Sequence, residues 1–309
     1  MLLKKQKPAI IFEIMSRNLI NLFTVLAVLF IITACVFRSD RDSKNSPTSN
    51  LGEKEKSEKT STKEFSSNGE TNSQKKDAGD FIVEHLEVKN SSYIEIDRQI
   101  KQDKTLEKAA DKLNRSLILP HDIKLRTKDC GEPNAFYDER EHSVTVCYEL
   151  MDHFYRVFKS VGNSEQKAYD KMFDAVRFAF LHEIGHALID TYNLPVAGNE
   201  EDAADRCSSF INLTELGEDG VNAVLAAADA FALESKRNTQ EKRNLADEHL
   251  LQEQRFYNSL CMIYGSNTEE YDYIVSEGYL PKARAERCPA EYERTVNSWE
   301  NLLFTWRKR

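Results

Sequence analysis

A long polar stretch, between Arg38 and Asp80, limits what this chain can fold into. Apart from one proline and the glycines, its only apolar residues are Leu51, Phe65 and Ala78. Such a segment cannot bury enough apolar surface to offset its conformational entropy. The composition therefore predicts a disordered tether over residues 35–80. It also predicts a folded body over residues 81–309, which is long enough to enclose a core.

An apolar run from Leu19 to Ile32 precedes the tether and follows several lysines and an arginine. It is shorter than the roughly 20 residues that a membrane-spanning helix needs, and its length is typical of a signal-peptide core. The run ends in "ITAC", which resembles a bacterial lipobox, where the signal is cut before the cysteine and that cysteine receives lipid. This predicts a signal peptide over residues 1–34 and lipidation of Cys35. The body would then lie outside the cytoplasm, lipid-anchored to a membrane of the bacterial cell envelope.

Two alternatives for the N-terminus stay open. The apolar run could instead be an uncleaved single-span anchor with an incidental Cys35. A start at Met15 rather than Met1 would give a signal of typical lipoprotein length. In each case the body is expected outside the cytoplasm.

The charge balance argues against nucleic acid as a partner. The chain has a formal net charge of −9, and it has no basic patch with interleaved aromatic residues. Binding to phosphates needs a concentrated basic surface.

The body carries five further cysteines, and in an oxidising compartment an odd number implies pairs with one left over. Cys130 and Cys147 flank a turn-rich segment and could close a hairpin. Cys261 and Cys288 bracket a second loop. Cys207 falls in a helical, partly apolar stretch, which favours a buried, unpaired thiol.

The periodicity of apolar residues predicts a few strands followed by many helices. Strand-like alternation occurs at 123–130 and 142–150. The helical patterns cover 106–119, 149–160, 166–192, 200–213, 219–235, 240–265 and 289–304. We therefore expect an α+β body, with a small and mainly antiparallel sheet ahead of a mostly helical half.

The stretch "FLHEIGHALI", residues 180–189, bears the clearest chemistry. His182 and His186 are four apart, so on a helix they project from the same face and can bind one zinc ion. Glu183 follows the first histidine and lies near enough to act on a water molecule at that metal. The alternative is an amphipathic helix with two incidental histidines.

The segment after this helix supplies a candidate third ligand. Pro195 and Gly198 break the helix, so the next one can fold back and bring Glu201 towards the histidines. Asp205, one turn on, could accept the proton of a ligand imidazole and fix its tautomer. The alternative is an acidic helix start favoured by the helix dipole. Two neighbours are fallback ligands, Glu200 and Asp202.

"HEIGH" followed by the "ExxxD" of Glu201 and Asp205 resembles the gluzincin type of zinc metallopeptidase, of which thermolysin is the familiar member. The segment "PNAFYDEREHSVTVCYEL" is similar to a strand edge that pairs with the substrate backbone in thermolysin-like enzymes. Residues 81–309 resemble a bacterial family of zinc metallopeptidases first catalogued as a domain of unknown function. The matching pieces are "CGEPNAFYD", "VCYEL", "HEIGHALID", "LPVAGNEEDAAD", "DEHLLQEQRFYNSLCMIYG" and "LPKARAERC".

The resemblance implies a zincin-like fold and one zinc ion per chain, bound by His182, His186 and Glu201. It implies that Glu183 is the general base that activates a zinc-bound water to hydrolyse a peptide or protein substrate. It also gives His249 the part of donor to the developing oxyanion.

Asp247 or Glu248 could be the acidic partner of His249, although a surface or helix-packing role for this histidine is an equal alternative. Recurrence of two cysteine pairs in the family supports the pairings 130–147 and 261–288. The gap between "HEIGH" and Glu201 is shorter than in thermolysin, so the shape of the cleft does not carry over.

Two other functions remain to be weighed against peptide hydrolysis. The chain could be a catalytically inactive lipoprotein of zincin fold that acts as a binding module. It could also be a zinc amidase that acts on cell-wall material, since the same site chemistry would serve.

Overall fold

The computed structural model describes residues 75–237 and 248–308. The predicted signal peptide, the lipidation site Cys35, the tether up to residue 74 and Asp247 lie outside these residues. Within the described part, no helix is both long enough and apolar enough to cross a membrane.

Four short strands of the described residues form one mixed sheet, in the order β1-β2-β4-β3. Their bounds are Phe81–Val83 (β1), Ile123–Lys128 (β2), Ala135–Asp138 (β3) and Ser143–Cys147 (β4). The central pairings, β1 with β2 and β2 with β4, are parallel. Only β3 pairs antiparallel, with β4, and it forms one edge of the sheet.

The prediction of a mainly antiparallel sheet is therefore wrong. Strand β3 lies between the two predicted strands, in residues 131–141, where the sequence pattern indicates no strand. After β2 the chain forms β3 at one edge of the sheet and then returns as β4, which lies between β2 and β3. Strands β2 and β4 therefore run in the same direction. Strand β1, three residues long, is too short to show a periodicity.

Ten α-helices follow or connect the strands within the described residues. Their bounds are Ile94–Gln102 (α1), Thr105–Ser116 (α2), Tyr148–Lys159 (α3), Glu165–Tyr192 (α4), Glu200–Glu215 (α5), Gly217–Arg237 (α6), Gln252–Ser266 (α7), Tyr273–Ser276 (α8), Lys282–Ala285 (α9) and Cys288–Leu303 (α10). The predicted α+β class, with a small sheet before a mostly helical half, is confirmed. The predicted helix 240–265 is wrong at residues 248–251, which are not helical.

Helix α4 lies at the centre of the fold. It is 28 residues long and buries side chains on every face, because α3, α5, α6 and the strands β3 and β4 all contact it. The hydroxyl of Ser164 caps its first turn by accepting the N–H of Lys167. The helix ends at Asn193, whose φ of 48° is in the left-handed region that terminates helices.

Helix α5 folds back tightly against α4. The connecting turn contains Gly198 at φ +109°, and the side chain of Asn199 accepts the N–H of Asp202 to cap α5. The closest approach is at Gly185, where an added Cβ would lie 3.1 Å from the Cα of Ala204. The first turn of α5, with its acidic residues, is thereby held against the two histidines of α4.

Both predicted disulfides are present, at Cys130–Cys147 and Cys261–Cys288. Cys207 is unpaired and buried, as expected. The first disulfide ties the end of β4 to the loop after β2, and the second ties α7 to α10.

The body begins slightly before residue 81. The N–H groups of Ala78 and Gly79 both donate to the carbonyl of Leu119, at 2.7 and 3.0 Å. Asp77 forms an ion pair with Lys308, with 2.6 Å between Oδ2 and Nζ. The last residues of the predicted tether thus pack against the fold.

We expect Gly220→Ala to lower the free energy of unfolding by about 1–3 kcal/mol, or more. A Cβ at this position would lie 1.9 Å from the backbone oxygen of Asn212, so α5 and α6 would have to move apart. Urea unfolding followed by circular dichroism measures the change. Glu218→Ala, exposed in the same turn, is the control and should stay within about 0.5 kcal/mol. Equal stability of the two variants would contradict the close contact.

Candidate metal centre

Three side chains from α4 and α5 converge on one point. The Nε2 atoms of His182 and His186 are 3.2 Å apart. The carboxylate of Glu201 approaches both, with its Oε2 3.0 Å from His182 Nε2 and its Oε1 3.3 Å from His186 Nε2. Ligands of a tetrahedral zinc ion at bond lengths of about 2.0–2.1 Å are about 3.3 Å apart. The spacing therefore fits a tetrahedral metal with these three ligands.

The other ring nitrogen of each histidine meets a carboxylate. Nδ1 of His182 lies 2.8 Å from Oδ1 of Asp205, and Nδ1 of His186 lies 2.8 Å from Oε1 of Glu200. A carboxylate can only accept, so each Nδ1 bears a hydrogen, and each ring presents a lone pair at Nε2 whenever that atom is unprotonated. Two such lone pairs facing each other beside a carboxylate repel unless a cation or a proton lies between them. The donor set thus fits a metal ion.

Glu200 therefore has a different place from the one foreseen. The sequence pattern offers it only as a fallback ligand, whereas its carboxylate binds the outer side of the His186 ring. The other fallback ligand, Asp202, pairs with Arg206 through its Oδ2 at 2.8 Å. The sequence does contain a signal for this contact. Glu200 is the first residue of a helix that folds back on the two histidines, so its carboxylate can reach one of them.

Arg255, from α7, holds Asp205 in position. Its Nε donates to Oδ2 at 2.8 Å and its Nη2 to Oδ1 at 2.7 Å, a bidentate pair. The guanidinium also lies 4.2 Å from the ring centre of Phe231. Because both charged groups are largely buried, each compensates the desolvation of the other. The chain of contacts from Arg255 through Asp205 to His182 fixes the orientation of that imidazole.

The carboxylates favour positive charge at this point. Burial alone would raise the pKa of Glu201, but hydrogen bonds from His182, His186 and His249 outweigh it and hold that pKa well below its usual range. Burial would lower the pKa of His182, but Asp205 and Glu201 raise it to about 9. Either a proton on an imidazole or a metal cation can supply the charge that this site favours.

Glu183 lies between the histidines and the sheet. Its residue is 8% exposed, and its carboxylate accepts the backbone N–H of Tyr137 on the edge strand β3. Burial raises its pKa, although that N–H and the two histidines oppose the shift. The Tyr137 hydroxyl donates to Oδ2 of Asp190, at 2.7 Å, two turns further along α4. Tyr137 thus holds β3 against α4 at two points, through its backbone N–H and through its hydroxyl.

His249 approaches the same centre from the turn before α7. Its Nε2 is 2.9 Å from Oε2 of Glu201, and its ring stacks on that of His182 with 5.9 Å between centroids. Its side chain is 41% exposed, so it faces the solvent side of the site. The backbone carbonyl of Glu248 accepts the side-chain amide of Asn199 at 2.7 Å, which holds this turn against the start of α5.

His249 therefore offers an alternative donor. The Nε2 of His249 could bind one metal ion together with a ring nitrogen of His182 and a carboxylate oxygen of Glu201. The two possible sets share His182 and Glu201 and differ in whether His186 or His249 completes them.

A family model described as "Putative metallopeptidase" matches residues 54–303, which is well over half of the chain. The chain belongs to this family. No curated protein and no solved structure gives a significant match. Membership in the metallopeptidase family implies a metal ion and a peptide or protein substrate. The match begins at residue 54, within the predicted tether of residues 35–80.

We expect the purified full chain to bind about one zinc ion and the variants His186→Ala and Glu201→Ala each to lose most of it. His249→Ala should keep it, because three ligands remain. Elemental mass spectrometry after dialysis measures the content. His85→Ala, whose half-exposed imidazole pairs with Glu107 on α2, is the control.

The reverse pattern would identify the other donor set. If His249→Ala loses the metal and His186→Ala keeps it, then His182, Glu201 and His249 are the ligands and the prediction is wrong.

Proposed function

We propose that this chain is a zinc-dependent peptidase of the bacterial cell envelope, anchored to a membrane by lipid on Cys35. The observation that carries the catalytic part is the convergence of His182, His186 and Glu201 beside a buried glutamate, Glu183. A structural zinc site has four protein ligands, whereas a site with three leaves a position for water or substrate.

Zinc bound by the two histidines and Glu201 would act as a Lewis acid and would lower the pKa of a water molecule to about 7. The part of Glu183 is to take the proton of the attacking water on its carboxylate and to pass it to the departing amine. Two features support this assignment. Burial raises the pKa of Glu183 towards the working range of a general base, and the N–H of Tyr137 fixes the carboxylate.

The outer edge of β3, which pairs with no further strand among the described residues, offers a place for an extended peptide. Cys147 donates its N–H to the carbonyl of Asn134, so alternate residues of β3 bond to β4. The backbone groups of Ala135 and Tyr137 therefore point away from β4, and the N–H of Tyr137 meets Glu183. A substrate backbone added at this edge would lie beside the proposed base.

We assign to His249 the part of hydrogen-bond donor to the oxyanion that develops on the substrate carbonyl. It sits on the exposed side of the site, where substrate would enter, and Glu201 and the turn at Glu248 restrict its ring. Because its Nε2 lies 2.9 Å from Oε2 of the proposed ligand Glu201, His249 would also be close to a carbonyl bound at the metal.

We expect Glu183→Gln to abolish hydrolysis of an unfolded protein such as casein while zinc content is unchanged. The amide keeps the shape of the side chain but cannot take a proton. Glu300→Gln, exposed on α10, is the control and should keep full activity.

Full activity in Glu183→Gln would contradict this mechanism. Zinc binding by the parent protein without cleavage of casein would favour the binding module, or the amidase if cell-wall fragments are cleaved instead.

We expect Cys35→Ala to release the protein from the detergent phase of a phase-separation assay and from the membrane fraction, since no thiol remains to receive lipid. Cys207→Ala, which removes the buried free thiol of the body, should leave partition unchanged. If Cys35→Ala stays in the membrane at its original mass, residues 19–32 are an uncleaved anchor.

A further inference from the structure

A cavity lies away from the metal centre, on another side of α4 and near its start. It has a volume of about 520 Å³, within the range of small-molecule sites. It opens where the turn 91–93 and the start of α1 cover α3 and the first turns of α4. Of the residues that line it, Met172 lies furthest along α4, ten residues before His182, which is a distance of about 15 Å along the helix. The cavity is thus separate from the proposed peptidase site.

Tyrosine rings make up much of its wall. Tyr93 and Tyr148 are stacked, with 5.7 Å between centroids and 24° between planes. Tyr155 and Tyr169 meet edge to face, at 6.3 Å and 76°. The hydroxyl of Tyr148 donates to Oδ1 of Asp97 at 2.7 Å, so this residue offers the cavity its ring rather than its hydroxyl. Four tyrosine rings thus line one space, as one stacked pair and one edge-to-face pair.

The charged residues around these rings leave an excess of negative charge. Asp152 is paired with Arg156 on α3, and Glu95 with Arg98 on α1. Glu165, at the start of α4, also lines the cavity, and no partner for it is found among the described residues. The pKa values of Tyr93 and Tyr169 are raised first by burial and further by nearby carboxylates, which agrees with a negative potential.

We propose that this cavity binds an alkylammonium ion. Ring faces attract a positive charge through their quadrupole and attract the alkyl groups by dispersion, which is how aromatic cages hold quaternary ammonium ligands. The unpaired carboxylate of Glu165 supplies the net opposite charge. An anion would meet this carboxylate, and a neutral ligand of the same shape would gain only the apolar contact.

The test is a ligand-observed NMR titration of the full chain with choline and with dimethylbutanol, in which carbon replaces the charged nitrogen. Choline should bind on the order of tenfold more tightly than the alcohol. Tyr155→Leu should weaken choline binding by a similar factor, whereas Tyr155→Phe keeps the ring and should bind as the parent does. Glu165→Gln should weaken choline without changing the alcohol. Thermal unfolding and zinc content check that each variant is folded.

Glycerophosphocholine is the third probe and distinguishes a free amine from a lipid headgroup. Tighter binding of choline indicates a soluble amine, and tighter binding of glycerophosphocholine indicates a headgroup; both support the proposal. Equal binding of choline and the alcohol overturns it, as does unchanged affinity in Tyr155→Leu or the absence of binding by any probe.

Discussion

The close approach of α4 and α5 at Gly185 is the constraint on which the rest of the site depends. With a hydrogen in place of a side chain, the backbone of α5 comes near enough for Ala204 and Cys207 to contact the helix directly. Ser208 reinforces the contact by donating its hydroxyl to the carbonyl of Phe178, at 2.7 Å. The carboxylates of Glu200 and Glu201 can then reach the histidines. The geometry of the donor atoms follows from backbone packing.

Burying so many charged groups is costly, and the fold offsets the cost by arranging them in alternation. Arg255 faces Asp205, Asp205 faces His182, and His182 faces Glu201. Each group is within hydrogen-bond distance of one of opposite character. The disulfide Cys261–Cys288 joins α7, which carries Arg255, to α10. The covalent link thus restrains the element that supplies the last member of the series.

The sequence predicted those parts of the fold that depend on local spacing. The helix of "HEIGH" and the return of Glu201 both follow from periodicity and from turn residues, and the structure has them. Sheet direction could not be predicted, because β3 has only four residues and its direction depends on pairing with β4. The contacts of Glu200, Arg255 and Tyr137 were missed for a similar reason. They join residues far apart in the chain, and a single sequence shows no pattern for such pairs.

The double attachment of β3 to α4 has a consequence for what can vary at position 137. The contact with Glu183 uses a main-chain N–H, which every amino acid except proline provides. The contact with Asp190 uses a hydroxyl, which few side chains supply at that reach. The contact that holds the proposed base is therefore insensitive to most exchanges at position 137, whereas the hydrogen bond that keeps the strand alongside the helix is not. Loss of this hydroxyl would free the edge strand from α4 at Asp190 while leaving the main-chain contact at Glu183 in place.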